Sequence, residues 1–142
     1  MSTFHQRPWE QRYNEMGDQA ESVFEGSSKI AFARYGLDRP GWNIVGLPEM
    51  IRYTPDYITP GGFVEVMGFG KDQCLRLKVL KWRALQAWHL LMPLEVFVYD
   101  STNDRHTYAT MPELDKAVHT HSVLGRFPEG TAYFAISADA FF

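Results

Sequence analysis

Two long stretches dominate the pattern of apolar and polar positions along the chain. Leu94–Asp100 is a nearly unbroken apolar run, typical of a central strand that lies parallel to its predecessor. Residues 73–91 follow the helical period after Asp72, and Pro93 ends the pattern. Their apolar side chains form two opposite stripes, Leu77, Leu80, Ala84, Trp88 and Leu91 on one side and Leu75, Val79, Trp82 and Leu90 on the other. Such a helix is expected to be buried on both sides, against the sheet and against another layer or a second copy of the chain.

The first part of the chain is predicted to contain an arm and a helix. Residues 1–16 show no clear period, whereas Asp18 and Glu21 have the spacing of a capping box that begins a helix. Gly26-Ser27-Ser28 is expected to break this helix into two pieces. One buried stripe along it would carry Ala20, Val23, Phe24, Ala31 and Tyr35.

Further strands are predicted on both sides of the two dominant stretches. Residues 42–46 begin a first strand, which Pro48 interrupts and which resumes at residues 50–53. After Leu94–Asp100, residues 106–110 are predicted as a strand, residues 112–119 as a short helix and residues 130–137 as a last strand. The elements therefore follow the order helix, strand, hairpin, helix and strand, with additional elements at the end.

Residues 54–71 are predicted to form a tight hairpin that carries one acid on each strand. In the turn Thr59-Pro60-Gly61-Gly62, proline presets φ at the first central position and Gly61 tolerates the positive φ that a type II turn needs. With Pro60 and Gly61 at the centre, Asp56 lies directly opposite Glu65 on one side of the sheet. A turn centred one residue later makes the acids diagonal neighbours, and a three-residue loop separates them.

Two carboxylates that lie this close repel each other unless positive charge is placed between them. Hard divalent cations such as Mg²⁺ prefer oxygen ligands, often one or two carboxylates with water and substrate phosphate. The alternative is a pair of exposed acids on a solvated face of the sheet. Asp56 and Glu65 are therefore candidate metal ligands.

Composition favours one folded domain over the 142 residues, with neither a signal peptide nor a membrane span, and predicts a cytoplasmic protein. The single cysteine, Cys74, excludes an intrachain disulfide and a cysteine-based zinc cluster. His119 and His121 are interpreted as surface residues in a loop. The motif Gly68-Phe69-Gly70-Lys71 lacks the spacing of a nucleotide-binding loop.

A net charge of −3 argues mildly against a nucleic-acid partner, but the positive charges are clustered. Only Asp72 opposes the cations of residues 71–83, which are Lys71, Arg76, Lys78, Lys81 and Arg83. Such a patch can bind phosphates on an otherwise acidic protein, although a solvated helix face has a similar pattern. Lys71, Arg76, Lys78 and Arg83 are the predicted nucleic-acid contacts.

Pro55-Asp56, an eight-residue spacer and Glu65-Val66-Met67 resemble the motif of the PD-(D/E)XK nuclease superfamily, most closely its small resolvase-like and phage-encoded members. The resemblance spans residues 15–102 and includes the order of elements. It implies an α/β fold with a restriction-endonuclease-like αβββαβ core, in which helices flank a mixed central sheet. By the same resemblance, Asp56, Glu65 and the Val66 backbone carbonyl would hold Mg²⁺ or Mn²⁺, and Glu21 would support the site.

Met67 departs from the motif, which has a lysine at this position. A thioether carries no charge, so another side chain must supply the ammonium. Some members of the superfamily place it on the helix after the hairpin, which makes Lys81 and Lys78 the leading candidates, with Lys71 third.

The resulting hypothesis is a metal-dependent DNA endonuclease that hydrolyses phosphodiester bonds, with branched or Holliday-junction DNA as a candidate substrate. A homodimer through the helix of residues 73–91 would suit two symmetric cuts in a junction. The alternative is a non-catalytic DNA- or protein-binding module that retains the nuclease fold and has lost the motif lysine.

Overall fold

The computed structural model describes residues 9–37 and 46–142, with side chains described from Met16 onward in the first range. The helices are α1 (Trp9–Ser27), α2 (Glu49–Arg52), α3 (Val79–Leu91) and α4 (Met111–His121). The strands are β1 (Ala33–Arg34), β2 (Tyr57–Thr59), β3 (Gly62–Gly68), β4 (Cys74–Lys78), β5 (Leu94–Asp100), β6 (Arg105–Thr110), β7 (Ser122–Arg126) and β8 (Ala132–Ser137). A short 3-10 helix, Ala138–Ala140, follows β8.

Two sheets organise these strands. The central sheet has the order β1-β2-β3-β5-β6, in which β3 and β5 are parallel and the other neighbours are antiparallel. A parallel pair needs a crossover connection, and α3 supplies it. Within β5 only Glu95 is exposed, as the apolar run predicted. The second sheet is antiparallel and has the order β4-β8-β7.

Helices cover both faces of the central sheet. On one face, Ala20 and Phe24 of α1 pack on a cluster that includes Val64, Val66 and Phe97. The opposite face packs against α3, α4 and the second sheet through a larger core. That core includes Phe63, Met67, Leu75, Leu77, Leu85, Trp88, Val96, Val98, Leu114 and Ile136. The predicted fold class, an α/β protein with a mixed sheet flanked by helices, is confirmed.

The predicted helix of residues 73–91 is wrong in its first part. Residues 74–78 form β4, which pairs with β8, and the helix begins only at Val79. Leu75 and Leu77 are buried while their neighbours are partly exposed, and this alternation is the period of a strand. Leu90 is 86% exposed and Leu91 is 64% exposed, so the helix is not buried on two sides. The observation that suggested a homodimer through this helix is therefore removed.

The strand predicted at residues 50–53 is also wrong, because α2 occupies most of this segment. Pro48 immediately precedes the helix, where its missing N–H costs no hydrogen bond. The helix docks on α3, and the Trp88 Nε1–H donates a hydrogen bond to the Met50 carbonyl at 3.0 Å. The other predicted part of this strand, residues 42–45, lies outside the described residues.

The N-terminal helix begins earlier than the sequence predicted. Because α1 starts at Trp9, Asp18 lies inside the helix and is not its cap, and residues 9–16 are not an arm. The helix ends at Ser27, within the predicted break, but the predicted second helical piece is wrong, because residues 28–37 contain no helix and residues 33–34 form β1. Ala20 and Phe24 are buried as expected, but Ala31 is exposed and Tyr35 is 44% exposed. Residues 1–8 lie outside the described part of the chain.

The predicted C-terminal elements are confirmed as β6, α4 and β8. The helix α4 has a capping box in which the Thr110 hydroxyl accepts a hydrogen bond from the Glu113 N–H. His119 and His121 lie in its last turn and not in a loop. The strand β7 was not predicted, since its sequence, SVLGR, lacks a clear period. None of the helices in the described ranges is long and apolar enough to span a membrane.

The side chain of Asp100 closes the end of β5. It is fully buried, and its carboxylate accepts hydrogen bonds from Gln73 Nε2 and Arg105 Nε at 2.8 Å and from Asn103 Nδ2 at 2.9 Å. Burial alone would raise its pKa, but the hydrogen bonds from Asn103, Gln73 and Arg105 outweigh burial and lower the pKa to about 2. The loop before β4 is thereby tied to β5.

The exposure of α3 can be tested with two leucines of the same helix. Leu85→Ala empties a fully buried position and is expected to lower the free energy of unfolding by about 2–5 kcal/mol. Leu90→Ala changes an exposed position and is the matched control, expected to change the free energy by less than about 0.5 kcal/mol. Urea denaturation measures both, and equal losses in the two variants would contradict the described helix.

Asp100 should contribute a defined pH dependence to stability. Its folded pKa lies below the unfolded value of about 3.9, so its contribution is complete above that value and is lost as the pH falls towards 2. The gap in free energy of unfolding between the parent and Asp100→Asn should therefore shrink from pH 5 to pH 2.5. Urea denaturation over this range measures the gap, and a gap that is constant with pH would contradict the hydrogen-bonded carboxylate.

Candidate active site

The hairpin register places Asp56 beside Glu65. Ile58 pairs with Phe63 and Thr59 with Gly62, which is the register that Pro60 and Gly61 at the centre predict. Just beyond the last backbone pair of the two strands, backbone N–H groups donate hydrogen bonds to side-chain carboxylates instead of to backbone carbonyls. The Asp56 N–H donates to Glu65 Oε1 at 3.2 Å, and the Val66 N–H donates to Asp56 Oδ2 at 2.9 Å. The two acids are thus held together by the main chain of the opposite strand.

The turn itself differs from the predicted type II geometry. The positive φ lies at Gly62, at 137°, and not at Gly61. A Cβ atom at Gly62 would lie 2.1 Å from the Pro93 carbonyl oxygen, so the close approach of the β5 entry requires glycine there. Thr59 Oγ1 stabilises the turn, because it accepts a hydrogen bond from the Gly61 N–H and donates one to the Gly62 carbonyl.

Both acids are removed from water. Glu65 is 3% exposed, and the side chain of Asp56 is 18% exposed. Burial, followed by the neighbouring Glu65 carboxylate, raises the pKa of Asp56 to about 8, although Lys81 and the Val66 N–H act in the opposite direction. Asp56 is therefore neutral below about pH 8 unless further positive charge is brought to it.

Lys81 is the lysine that meets this pair. It lies in the first turn of α3, and its Nζ is 2.6 Å from Glu65 Oε2 with only 14% of the side chain exposed. The other two candidates lie elsewhere. Lys78 ends β4 with its Nζ 5.7 Å from the centre of the Phe127 ring, and Lys71 is exposed in the loop before β4.

Met67 belongs to the hydrophobic core. It is 8% exposed and packs in the cluster that joins the central sheet to α3 and α4. A lysine at this position would place its stem and ammonium in that core. The ammonium that is missing at position 67 is instead provided by Lys81 of α3, which lies beside the two acids.

Arg34 completes the cluster and was missed in the sequence. Its Nη1 is 2.9 Å from Glu21 Oε2 on α1, and its Nη2 is 3.7 Å from Asp56 Oδ1. It also lies against Tyr57, whose hydroxyl donates to Glu25 Oε2 at 2.8 Å. A two-residue strand leaves no periodic pattern, so no signal in the sequence could have identified Arg34. Glu21 reaches the site through Arg34, as an ion-pair partner and not as a helix cap.

The predicted nucleic-acid contacts are dispersed over several elements. Arg76, on β4, forms an ion pair with Asp72, and Arg83, on α3, forms one with Glu49 of α2 at 2.9 Å. Arg76 and Lys78 share one face of β4, where they lie over the Tyr133 and Phe127 rings, which contact each other. Lys71 lies in the loop before β4.

The donor set suits a single hard cation. Glu65, which is buried, and Asp56, which is partly buried, provide two adjacent acids, and the Val66 carbonyl lies in the backbone between Glu65 and Met67. Oxygen ligands of this kind fit Mg²⁺ or Mn²⁺. Among the side chains of residues 16–37 and 46–142, no three His, Cys, Asp or Glu form a group that could hold an ion together.

No protein-family model matches the chain, and no curated protein matches it. Among solved structures, a nuclease from a fusselovirus is similar, with a TM-score of 0.51 and 8% sequence identity. The similarity covers 94% of this chain and 86% of that one. At this identity the similarity shows a shared fold and does not by itself assign a chemistry.

The buried pair of Lys81 and Glu65 predicts a marked effect on stability. Lys81→Met keeps the stem but strands the Glu65 carboxylate beside Asp56, and it should lower the free energy of unfolding by about 3 kcal/mol. The double variant Lys81→Met with Glu65→Gln should recover most of this loss, because no charge is stranded. Lys78→Met is the control for loss of a half-buried lysine. Urea denaturation in EDTA measures all four proteins, and a fully stable Lys81→Met would contradict the pair.

Proposed function

We propose that this protein is a metal-dependent endonuclease that hydrolyses phosphodiester bonds in DNA. The observation that carries the proposal is the convergence of Asp56, Glu65 and Lys81 on one buried site. Two acids can hold one divalent ion and an ammonium can stabilise developing negative charge, which together suit phosphodiester hydrolysis. The shared fold with a viral nuclease supports the proposal independently.

Asp56 and Glu65 would hold Mg²⁺ or Mn²⁺ together with the Val66 carbonyl. When bound, the cation would polarise the phosphoryl oxygen and make a water molecule more acidic. The Asp56 and Val66 N–H groups already hold the two acids next to each other. Glu21 would support the site through Arg34, which it holds beside Asp56.

Lys81 would act in place of the motif lysine. Its ammonium lies on Glu65 Oε2, at the edge of the site, where it can orient the attacking water and stabilise the charge that develops on the phosphate. Met67 takes no part, since it packs in the core. Lys71, Arg76, Lys78 and Arg83 would contribute to DNA binding as separate phosphate contacts. Action on junction DNA and assembly as a homodimer belong to the same proposal. The two-sided burial that suggested a dimer contact through α3 is absent.

A non-catalytic DNA- or protein-binding module is the second candidate, and one observation favours it. Lys81 pairs with Glu65 and Arg34 lies near Asp56, so two cations already accompany the two acids. A metal ion would have to compete with these partners for the carboxylates. The module predicts DNA binding, or protein binding, without cleavage.

Cleavage of supercoiled plasmid and of a four-way junction in Mn²⁺ tests the proposal. Asp56→Asn and Glu65→Gln keep the shape of each side chain and should each reduce the cleavage rate by about 100-fold or more, because metal binding is lost. Lys81→Ala should reduce it by a similar factor, since a positioned proton-transfer or charge-stabilising group contributes about 100-fold or more.

Two further lysine variants serve as comparisons. Lys78→Ala should weaken DNA binding more than the rate at saturating DNA, because it removes a phosphate contact only. Lys116→Ala, on the exposed face of α4, is the control and should behave as the parent does. Unchanged cleavage in both Asp56→Asn and Glu65→Gln would reject this site, and DNA binding with no cleavage by the parent would support the module.

A further inference from the structure

Arg34 is fixed beside the acids by backbone as well as by side-chain contacts. In the central sheet it pairs with Tyr57, one residue after Asp56. The next two N–H groups, of Tyr35 and Gly36, both donate to the Asp56 carbonyl, at 2.9 and 3.2 Å. A Cβ atom on Gly36 would lie 2.7 Å from the Pro55 carbonyl oxygen, so this close approach needs glycine. The position of Arg34 relative to Asp56 is therefore determined by the main chain.

The guanidinium bridges two carboxylates from different elements. Glu21 lies on α1 and Asp56 precedes β2, and Arg34 is the cation between them at 2.9 and 3.7 Å. A guanidinium stays protonated in proteins, so Arg34 brings a permanent positive charge to both acids.

A cation that bridges two carboxylates beside a first metal site corresponds to the second ion of two-metal nucleases, where the ions lie about 3.5–4 Å apart. We propose that Arg34 takes the place of such a second ion, so that this site binds a single divalent cation, at Asp56 and Glu65. The inference rests on the proposed function. It assigns Arg34 and Glu21 a positioning role, in which they hold Asp56 and keep a second metal ion out.

The stoichiometry of Mn²⁺ binding, measured without DNA, tests this inference. In a titration of the metal-depleted protein, the electron paramagnetic resonance signal of free Mn²⁺ gives the number of ions bound. The parent should bind about one ion per chain. Arg34→Met removes the guanidinium and leaves Glu21 and Asp56 facing each other, so it should bind about two. Arg34→Lys keeps a cation and should bind about one.

A double variant separates the second site from other effects. Arg34→Met with Glu21→Gln lacks one of the two carboxylates of that site and should return to about one ion per chain. The side chains of Arg34 and Glu21 are 30% and 23% exposed, so water can solvate the acids that Arg34→Met leaves behind. Circular dichroism confirms folding, and Arg34→Gln provides a second neutral variant.

The outcomes distinguish this inference from the function on which it rests. One ion in the parent, two in Arg34→Met and one in the double variant support it. One ion in both the parent and the folded Arg34→Met overturns it and leaves the proposed function intact. Two ions in the parent overturn it without reference to any variant. No ion in the parent overturns both the inference and metal dependence.

Discussion

The packing of the elements around the hairpin depends on two acidic side chains that lie next to each other in one buried site. Asp56 and Glu65 meet because the main chain of each strand donates a hydrogen bond to the acid of the other. Their mutual repulsion and their burial are unfavourable unless positive charge is brought to them. The elements around the hairpin provide this positive charge. The helix α3 supplies Lys81, and β1 supplies Arg34, which α1 in turn holds through Glu21.

The second sheet determines the position of Lys81. Because Leu75 and Leu77 belong to a strand that pairs with β8, the chain enters α3 only at Val79, and Lys81 falls in the first helical turn. From that turn its amine reaches Glu65. The same packing places Met67 in the core between the central sheet and α3. The packing of α3 on the central sheet therefore explains both the burial of Met67 and the position of Lys81.

The fold is shared with a viral nuclease at 8% identity, so few side chains are common to the two proteins. A fold of this kind positions a hairpin and a helix but does not by itself specify a reaction. In this chain, the counter-charges of the acid pair Asp56 and Glu65 come from α3 and β1.

The sequence by itself determined what is local. The pairing of Asp56 with Glu65 follows from the length of a two-residue turn, and the apolar run of β5 follows from its burial on both faces, so both were predictable. The class of the fold was predicted from the order of elements together with the resemblance to a known family. Even where the turn type was wrong, the register was right, because loop length sets the register.

Only the tertiary structure decided the remainder. Residues 74–78 suit a helix and a strand equally well as a pattern, and their partner β8 lies more than fifty residues further along the chain. The two residues of β1 are too few to show any period, yet they place Arg34 between α1 and the hairpin. An ion pair joins side chains through space, and its partners leave no common pattern along the chain. The acids could therefore be found in the sequence, whereas the charges that balance them could be assigned only once the layers were packed.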